Sequence, residues 1–169
     1  AGAGVGVGVT GKSRRGRRSH IGRDPAVRAH PGGATATAAL SGVVLLMTLW
    51  PDATPNSANF VPFREHGAAW SCLLSGCAAA TESARFLITD VVGNIVVFVP
   101  IGFAAAAALP GSRWRRFGLA TMGGLLLSLF IESVQFGIAT RATDVDDLIF
   151  NTVGAAIGAG GYALFKRRR

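Results

Sequence analysis

Seven side chains in the second half of the chain are of types that bind polar groups or exchange protons, yet they lie in or beside long apolar runs. They are Asn94, Glu132, Gln135, Arg141, Asp144, Asp147 and Asn151. Glu132 and Gln135 are three residues apart, which puts both on one face of a helix. Asp144, Asp147 and Asn151 share a face if a helix begins near Asp144. A carboxylate in an apolar setting is either neutral or paired, and Arg141, six residues past Gln135, is the partner that position favours. One reading is a structural Glu132–Arg141 pair that locks a helix to its loop. The other is a site that binds a polar headgroup or moves a proton, with Arg141 offering a fork to phosphate or carboxylate. The two readings are compatible, since a ligand phosphate can share Arg141 with a carboxylate.

Other chemistries find less support. Glu132, Asp144, Asp147 and Asn151 supply oxygen ligands of the kind Mg²⁺ or Ca²⁺ takes. Zinc is disfavoured because His20, His30 and His66 fall in the N-terminal tail and the first outer connection, away from these carboxylates. The metal-free reading is preferred, and no cofactor is expected. Glu132 or Asp147 as a general base would need a reacting group within hydrogen-bond reach. No nucleophile stands beside them, and Ser128 and Ser133 read as ordinary helix hydroxyls.

The elements that position these residues are apolar all round. Stretches at about 33–50, 86–109, 117–138 and 147–165 are each near the length that crosses a hydrocarbon core. A soluble helix would show an apolar stripe and a polar face instead. The fold class is therefore all-α, an integral membrane bundle of about four transmembrane helices. Residues 33–165 form that domain, 1–32 a disordered basic tail and 166–169 a basic C-terminal tail. The last three helices are rich in Gly and Ala, which lets backbones approach closely. Gly154 and Gly158 make one small-residue seam, and Ala156, Gly160 and Ala163 another. Pro100 should kink the second helix by freeing the carbonyl near Val96.

Charge fixes the expected orientation. Fourteen of the 17 Lys and Arg residues lie before the first helix, between the second and third, and at the C-terminus. With four helices these share one face, so the N- and C-termini are expected inside. Arg64, Arg85 and Arg141 remain outside with most of the acids, and the seven polar residues then gather at the outer side. A pI near 11.2 and a net charge of +8 would otherwise suggest nucleic acid. Topology accounts for the charge, so no nucleic-acid partner is expected, only the lipid bilayer of a multi-pass cell-membrane protein. The missing initiator Met points to a processed or incomplete N-terminus.

The longest connection, 51–85, is broken by Pro51, Pro55 and Pro62 and then becomes less polar, with room for a short interfacial helix around Trp70 to Leu74. Cys72 and Cys77 face outside, where a disulfide could persist. LLSGC (Leu73 to Cys77) has the look of a lipoprotein box, but it lies far from the N-terminus, and lipidation is disfavoured.

Four stretches together resemble the VanZ-like family: NFVPF (Asn59 to Phe63), GNIVVFVPIGF (Gly93 to Phe103), IESVQ (Ile131 to Gln135) and RATDVDDLIFNTVGAAIG (Arg141 to Gly158). They match an N-x-x-x-F-x-P-x-G helix, an E-x-x-Q helix and an R-x-x-D-x-x-D-x-x-x-N-x-x-G segment. The resemblance implies a bacterial multi-pass membrane protein. The founding member is associated with low-level resistance to the glycopeptide teicoplanin, while no reaction is established for the family. Three functions stay open: binding of an envelope lipid or glycopeptide-type ligand at the outer polar zone, catalysis on a lipid-linked substrate, and proton-coupled transport through Glu132. A transporter would lack an internal repeat unless a second copy supplied it, so homo-oligomerisation is also open.

Overall fold

The structure is a computed structural model that describes residues 1–4, 30–50, 57–138 and 142–167. Arg141 and most of the basic tail assigned to 1–32 lie outside the described residues. Helix α1 spans Pro31–Thr48, strand β1 Ser57–Asn59, α2 Arg64–Ser75 and α3 Ala80–Leu87. A wider π-type turn, Ile88–Val92, joins α3 to α4 (Gly93–Ala108), followed by α5 (Arg113–Phe136), strand β2 (Ala142–Asp144) and α6 (Val145–Arg167). Four helical segments are long and apolar enough to cross a membrane: α1, the 29-residue run from Ala80 to Ala108, α5 and α6.

Local chemistry sets the ends of these elements. Pro31 opens α1, where its missing N–H costs nothing. Gly111, with φ 113°, turns the chain after Pro110, and Ser112 then caps α5 by accepting the Arg115 N–H at 3.4 Å. Asp144 caps α6, its Oδ1 accepting the Asp146 N–H at 2.9 Å. Asp147 sits in the first turn beside Asp146. The second span begins at Ala80 rather than near Phe86, since the π-type turn carries the helix through Ile88–Val92 without a break. A helix is present around Trp70 as α2, longer than anticipated. The one addition to an all-helical plan is a short parallel pairing of β1 with β2, which sets Asn59 opposite Asp144.

Consecutive spans run antiparallel. The start of α1 meets the end of α4, His30 N donating to Ala107 O at 3.0 Å, and the end of α6 returns to the same place, Lys166 Nζ lying 3.5 Å from His30 Nε2. Arg113, Arg115, Arg116 and Lys166 therefore share one end of the bundle, and the first turn of α6 lies at the other.

Glycine controls the tightest interface, between α4 and α6. A Cβ on Gly158 would overlap Val99 O, one on Gly154 would overlap Ile95 O, and one on Gly102 would overlap the Ala155 backbone. The Gly154–Gly158 seam thus faces α4. In the other seam, a Cβ on Gly160 would make only ordinary contact with the Phe117 ring, at 3.8 Å. Apolar burial gains little where the alternative is hydrocarbon, so close packing of this kind must hold the helices. Phe98, Ile101, Ile131, Ala155 and Val44 form one packed layer, and Ala106, Ala120, Ala159 and Tyr162 another.

Outside and inside are exchanged relative to a protein folded in water. Leu46, Met47, Val96, Met122, Leu126, Ile157 and Leu164 are exposed, while Arg116, Ser128, Glu132, Gln135 and Asn151 are buried. Hydrocarbon stabilises such a surface, and polar groups then belong in the interior.

Candidate functional site

At the end of the bundle where α6 begins, three ionisable side chains form a chain of contacts. His66 Nδ1 lies 2.8 Å from Asp146 Oδ2, and Nε2 lies 2.9 Å from Asp90 Oδ2. Each contact needs a proton between its two atoms, because an ionised carboxylate only accepts. The triad Asp90–His66–Asp146 therefore holds two protons, either both on the imidazole or one there and one on a carboxyl. Asp146 is wholly buried and His66 is 7% exposed, whereas the Asp90 side chain is 24% exposed. Only the Asp90 end of the triad is open.

Each member depends on a different element. Asp146 sits in the first turn of α6, where the helix dipole favours a negative charge. Its carboxylate also accepts the Phe63 N–H, at 2.9 and 3.0 Å, and so holds the start of α2. Phe63 has left-handed backbone angles (φ 59°, ψ 15°), a conformation that costs a non-glycine residue about 1–2 kcal/mol. Packing against Phe150 and His66 helps to hold it there. Asp90 comes from the π-type turn. Phe86 and Phe150 flank the imidazole at 5.1 Å between ring centres, limiting the access of water.

Around this triad lies a second layer. Asn59 Nδ2 donates to both oxygens of Asp144, at 3.3 and 3.2 Å, and Glu132 Oε2 accepts the Asp144 N–H at 3.0 Å. Asn94 Nδ2 donates to Asp147 Oδ1 at 2.5 Å, tying α4 to α6. Four of the seven residues singled out from sequence thus lie together at this end: Asn94, Glu132, Asp144 and Asp147. Two do other work. Gln135 Nε2 donates to Thr48 O at 3.0 Å and pins the end of α1 to α5, while Asn151 Nδ2 donates to Ser128 Oγ at 2.9 Å one turn deeper. Arg141, and with it the expected Glu132–Arg141 pair, lies outside the described residues.

His66 was placed away from Glu132, Asp144 and Asp147; it contacts none of these directly but reaches the same end of the bundle through Asp146 and Asp90. Its chain partners are 80 and 24 residues distant, so spacing gave no warning. Asp90 was missed for the same reason, and Asp146 was seen only as a neighbour of Asp144 and Asp147, although NFVPF, three residues before His66, was already among the motifs. The oxygen set once considered for Mg²⁺ or Ca²⁺ is divided among separate partners. Among the described residues no three His, Cys, Asp or Glu side chains converge at metal-binding spacing. Cys72 and Cys77 are joined by a disulfide, which leaves neither sulfur for lipid attachment.

Beside the triad an apolar groove of about 500 Å³ runs along the outside of the bundle. Trp70, Leu87, Ile88, Val91, Val92 and Phe150 line it, with Gly67 and His66 at its head. Trp70, Ile88 and Val92 are exposed, so the groove opens sideways onto the surface that would face lipid.

Four membrane-length helices, an apolar exterior and a buried polar cluster under one end define a multi-pass membrane protein. The VanZ/LLP1 family model matches residues 36–166, and the chain belongs to that family. A 77-residue stretch is 34% identical to Protein VanZ of Enterococcus faecium, covering 44% of this chain and 45% of that protein. The match thus spans less than half the length of this relative. No solved structure matches the chain.

Proposed function

We propose that the protein sits in the cell membrane with both termini inside and binds an envelope lipid at the outer polar end. One acyl chain lies in the groove of Trp70, Leu87, Ile88, Val91, Val92 and Phe150, and the polar head rests over Asp90 and His66. The groove carries this reading, because it is apolar along its length, opens toward the bilayer and ends on His66, the middle member of the triad, whose other neighbour Asp90 is part exposed. The distribution of Lys and Arg supports the orientation.

Gly67 supplies the test. It faces open space, with no atom within 4 Å of a Cβ built there, so Gly67→Leu fills the head of the groove without disturbing α2. Native mass spectrometry of the purified protein should show co-purified envelope lipid reduced about tenfold in the variant. Unchanged lipid content would remove the groove from the function. Any glycopeptide link then follows from lipid binding. A bacterial host expressing Gly67→Leu should match the teicoplanin sensitivity of a host without the protein, and sensitivity equal to that of the wild-type strain would separate the two properties.

The two-proton triad favours a second reading, acid–base chemistry or proton exchange through Asp90. It predicts proton flux or turnover of a lipid-linked substrate in liposomes that Asp90→Asn abolishes. Wild-type protein silent in both assays would leave lipid binding alone.

A further inference from the structure

Helix α2 is tied down at both ends, and the two ties differ in kind. At its start Asp146 accepts the Phe63 N–H and contacts His66. At its far end a disulfide between Cys72 and Cys77 joins the last turn of α2 to the segment that leads into α3. Gly76, with φ 64°, reverses the chain between the two cysteines. The Cys77 N–H then donates to Cys72 O at 3.1 Å, and the Ala80 N–H to Cys77 O at 3.0 Å. The first tie can be undone only by opening a buried contact. The second can be undone by chemistry at the surface, because both cysteines are part exposed.

The packing between α2 and α3 gives the disulfide its importance. A groove of about 490 Å³ separates the two helices, and Cys72 borders it together with Ala68, Ala69, Ala79 and Ser83. Side chains this small bury little apolar area, so they contribute little to holding the helices together. The opposite side of α2 faces the outer groove, where Gly67 and Trp70 form part of the wall. Helix α2 is thus a partition between two grooves, and Trp70 stands two residues before Cys72. Any movement of the far end of α2 relative to α3 therefore carries Trp70 with it and reshapes the apolar groove that ends on His66.

We propose that the Cys72–Cys77 disulfide is a redox latch that fixes α2 and thereby holds the outer groove in its lipid-binding shape. This regulation rests on the reading of that groove as a lipid site. The agent that opens it is a dithiol, small molecule or protein, acting by two exchanges. One of its thiolates attacks a sulfur of the bond, forming a mixed disulfide and releasing the other cysteine as a thiolate that takes up a proton. Its second thiolate then attacks the mixed disulfide, and the remaining cysteine leaves and is protonated in turn. Two electrons and two protons pass to the protein, and the dithiol becomes a disulfide. With the latch open, the far end of α2 separates from α3, Trp70 moves off Ile88 and Val92, and the groove loses its grip on the acyl chain.

The full chain, purified in detergent, would be compared oxidised, reduced with dithiothreitol and reoxidised. Native mass spectrometry counts the retained envelope lipid and the thiols, and hydrogen exchange follows α2. Reduction should raise exchange at Ala69 to Ser75, leave α5 unchanged and lower lipid retention about fivefold, and reoxidation should restore both. Cys72→Ser combined with Cys77→Ser should behave as the reduced protein and ignore dithiothreitol. Unchanged exchange on reduction would overturn the latch, as would a dithiothreitol effect that persists in the double variant. Lipid retention that Gly67→Leu lowers and reduction does not would overturn the latch and leave the lipid site standing. If Gly67→Leu leaves retention unchanged, the lipid reading fails and this inference falls with it. Should the double variant fail to fold, the reversible cycle on the wild-type protein decides.

Discussion

The two ends of this bundle bury charge in opposite ways. At the basic end Arg116 (2% exposed), the one buried Arg or Lys among the described residues, donates to two carbonyls and a phenol. Ala106 lies in the last turn of α4, where the helix dipole favours a positive charge. These three acceptors come from α4, the turn that follows it and α6. At the polar end five carboxylates, Asp90, Glu132, Asp144, Asp146 and Asp147, crowd around His66, the start of α2 and the β1–β2 pairing. That arrangement stands only while each carboxylate keeps its donors. The basic end is a brace between helices, whereas the polar end is an assembly of segments remote in sequence, and only the latter has an open, titratable member.

The comparison breaks most sharply at Asp146. Asp146→Ala leaves the Phe63 N–H without its acceptor and the buried His66 with one carboxylate fewer. Removing one partner from a buried charged contact costs about 3–5 kcal/mol. Thermal unfolding in detergent should fall accordingly, and α2 should become susceptible to protease before the bundle unfolds. A variant as stable as wild type would mean that α2 is held by its aromatic contacts alone.

Gly158→Leu tests what the two ends share. The added side chain would collide with the Val99 carbonyl across the α4–α6 interface, and overpacking of a fitted contact costs about 1–3 kcal/mol. Both ends should loosen together, visible as faster hydrogen exchange at the first turn of α6 and at its last. Loosening confined to one end would show that the ends are independent units.

Arg116→Met addresses the brace directly. Hydrogen bonds to a charged group contribute about 1.5–3 kcal/mol, but the carbonyls left behind lie near the membrane surface, where water can replace the guanidinium. A loss of about 2 kcal/mol, smaller than that for Asp146→Ala, is expected from the same unfolding measurement. A larger loss would reverse the contrast between the ends.

These contrasts were unequally legible in the sequence. Apolar runs and paired basic clusters reveal the four spans, because length and charge are local properties. Asn94, Glu132, Asp144 and Asp147 reach the same end because each lies near the same terminus of an antiparallel span, which a helix count is enough to predict. His66 is different. It belongs to a 12-residue helix in the longest connection, ahead of the stretch around Trp70 that the sequence marked, and it acquires its role only when Asp146 captures Phe63 and the π-type turn presents Asp90. Arg116 was hidden by the rule that revealed the topology, since counting charges by side gives every arginine in a loop the same meaning. Gln135 and Asn151 carried the type expected of a site, but their partners are Thr48 O and Ser128, and no spacing rule separates a helix tie from a ligand contact.

Gln135 gives the smallest and most discriminating test. Its Nε2 holds Thr48 O at the end of α1, while its Oε1 has no partner among the described residues. One half of the amide therefore stabilises α1 and the other is a desolvated acceptor that opposes it. Inter-helical hydrogen bonds in membranes average about 0.6 kcal/mol, so Gln135→Leu should shift stability by no more than about that amount. Hydrogen exchange at Leu45 to Leu49 should rise while the rest of the bundle is unchanged. If envelope-lipid retention also dropped, the end of α1 would belong to the polar site and not to the frame around it. The boundary between the two would then move from Asp144 and Glu132 to Thr48.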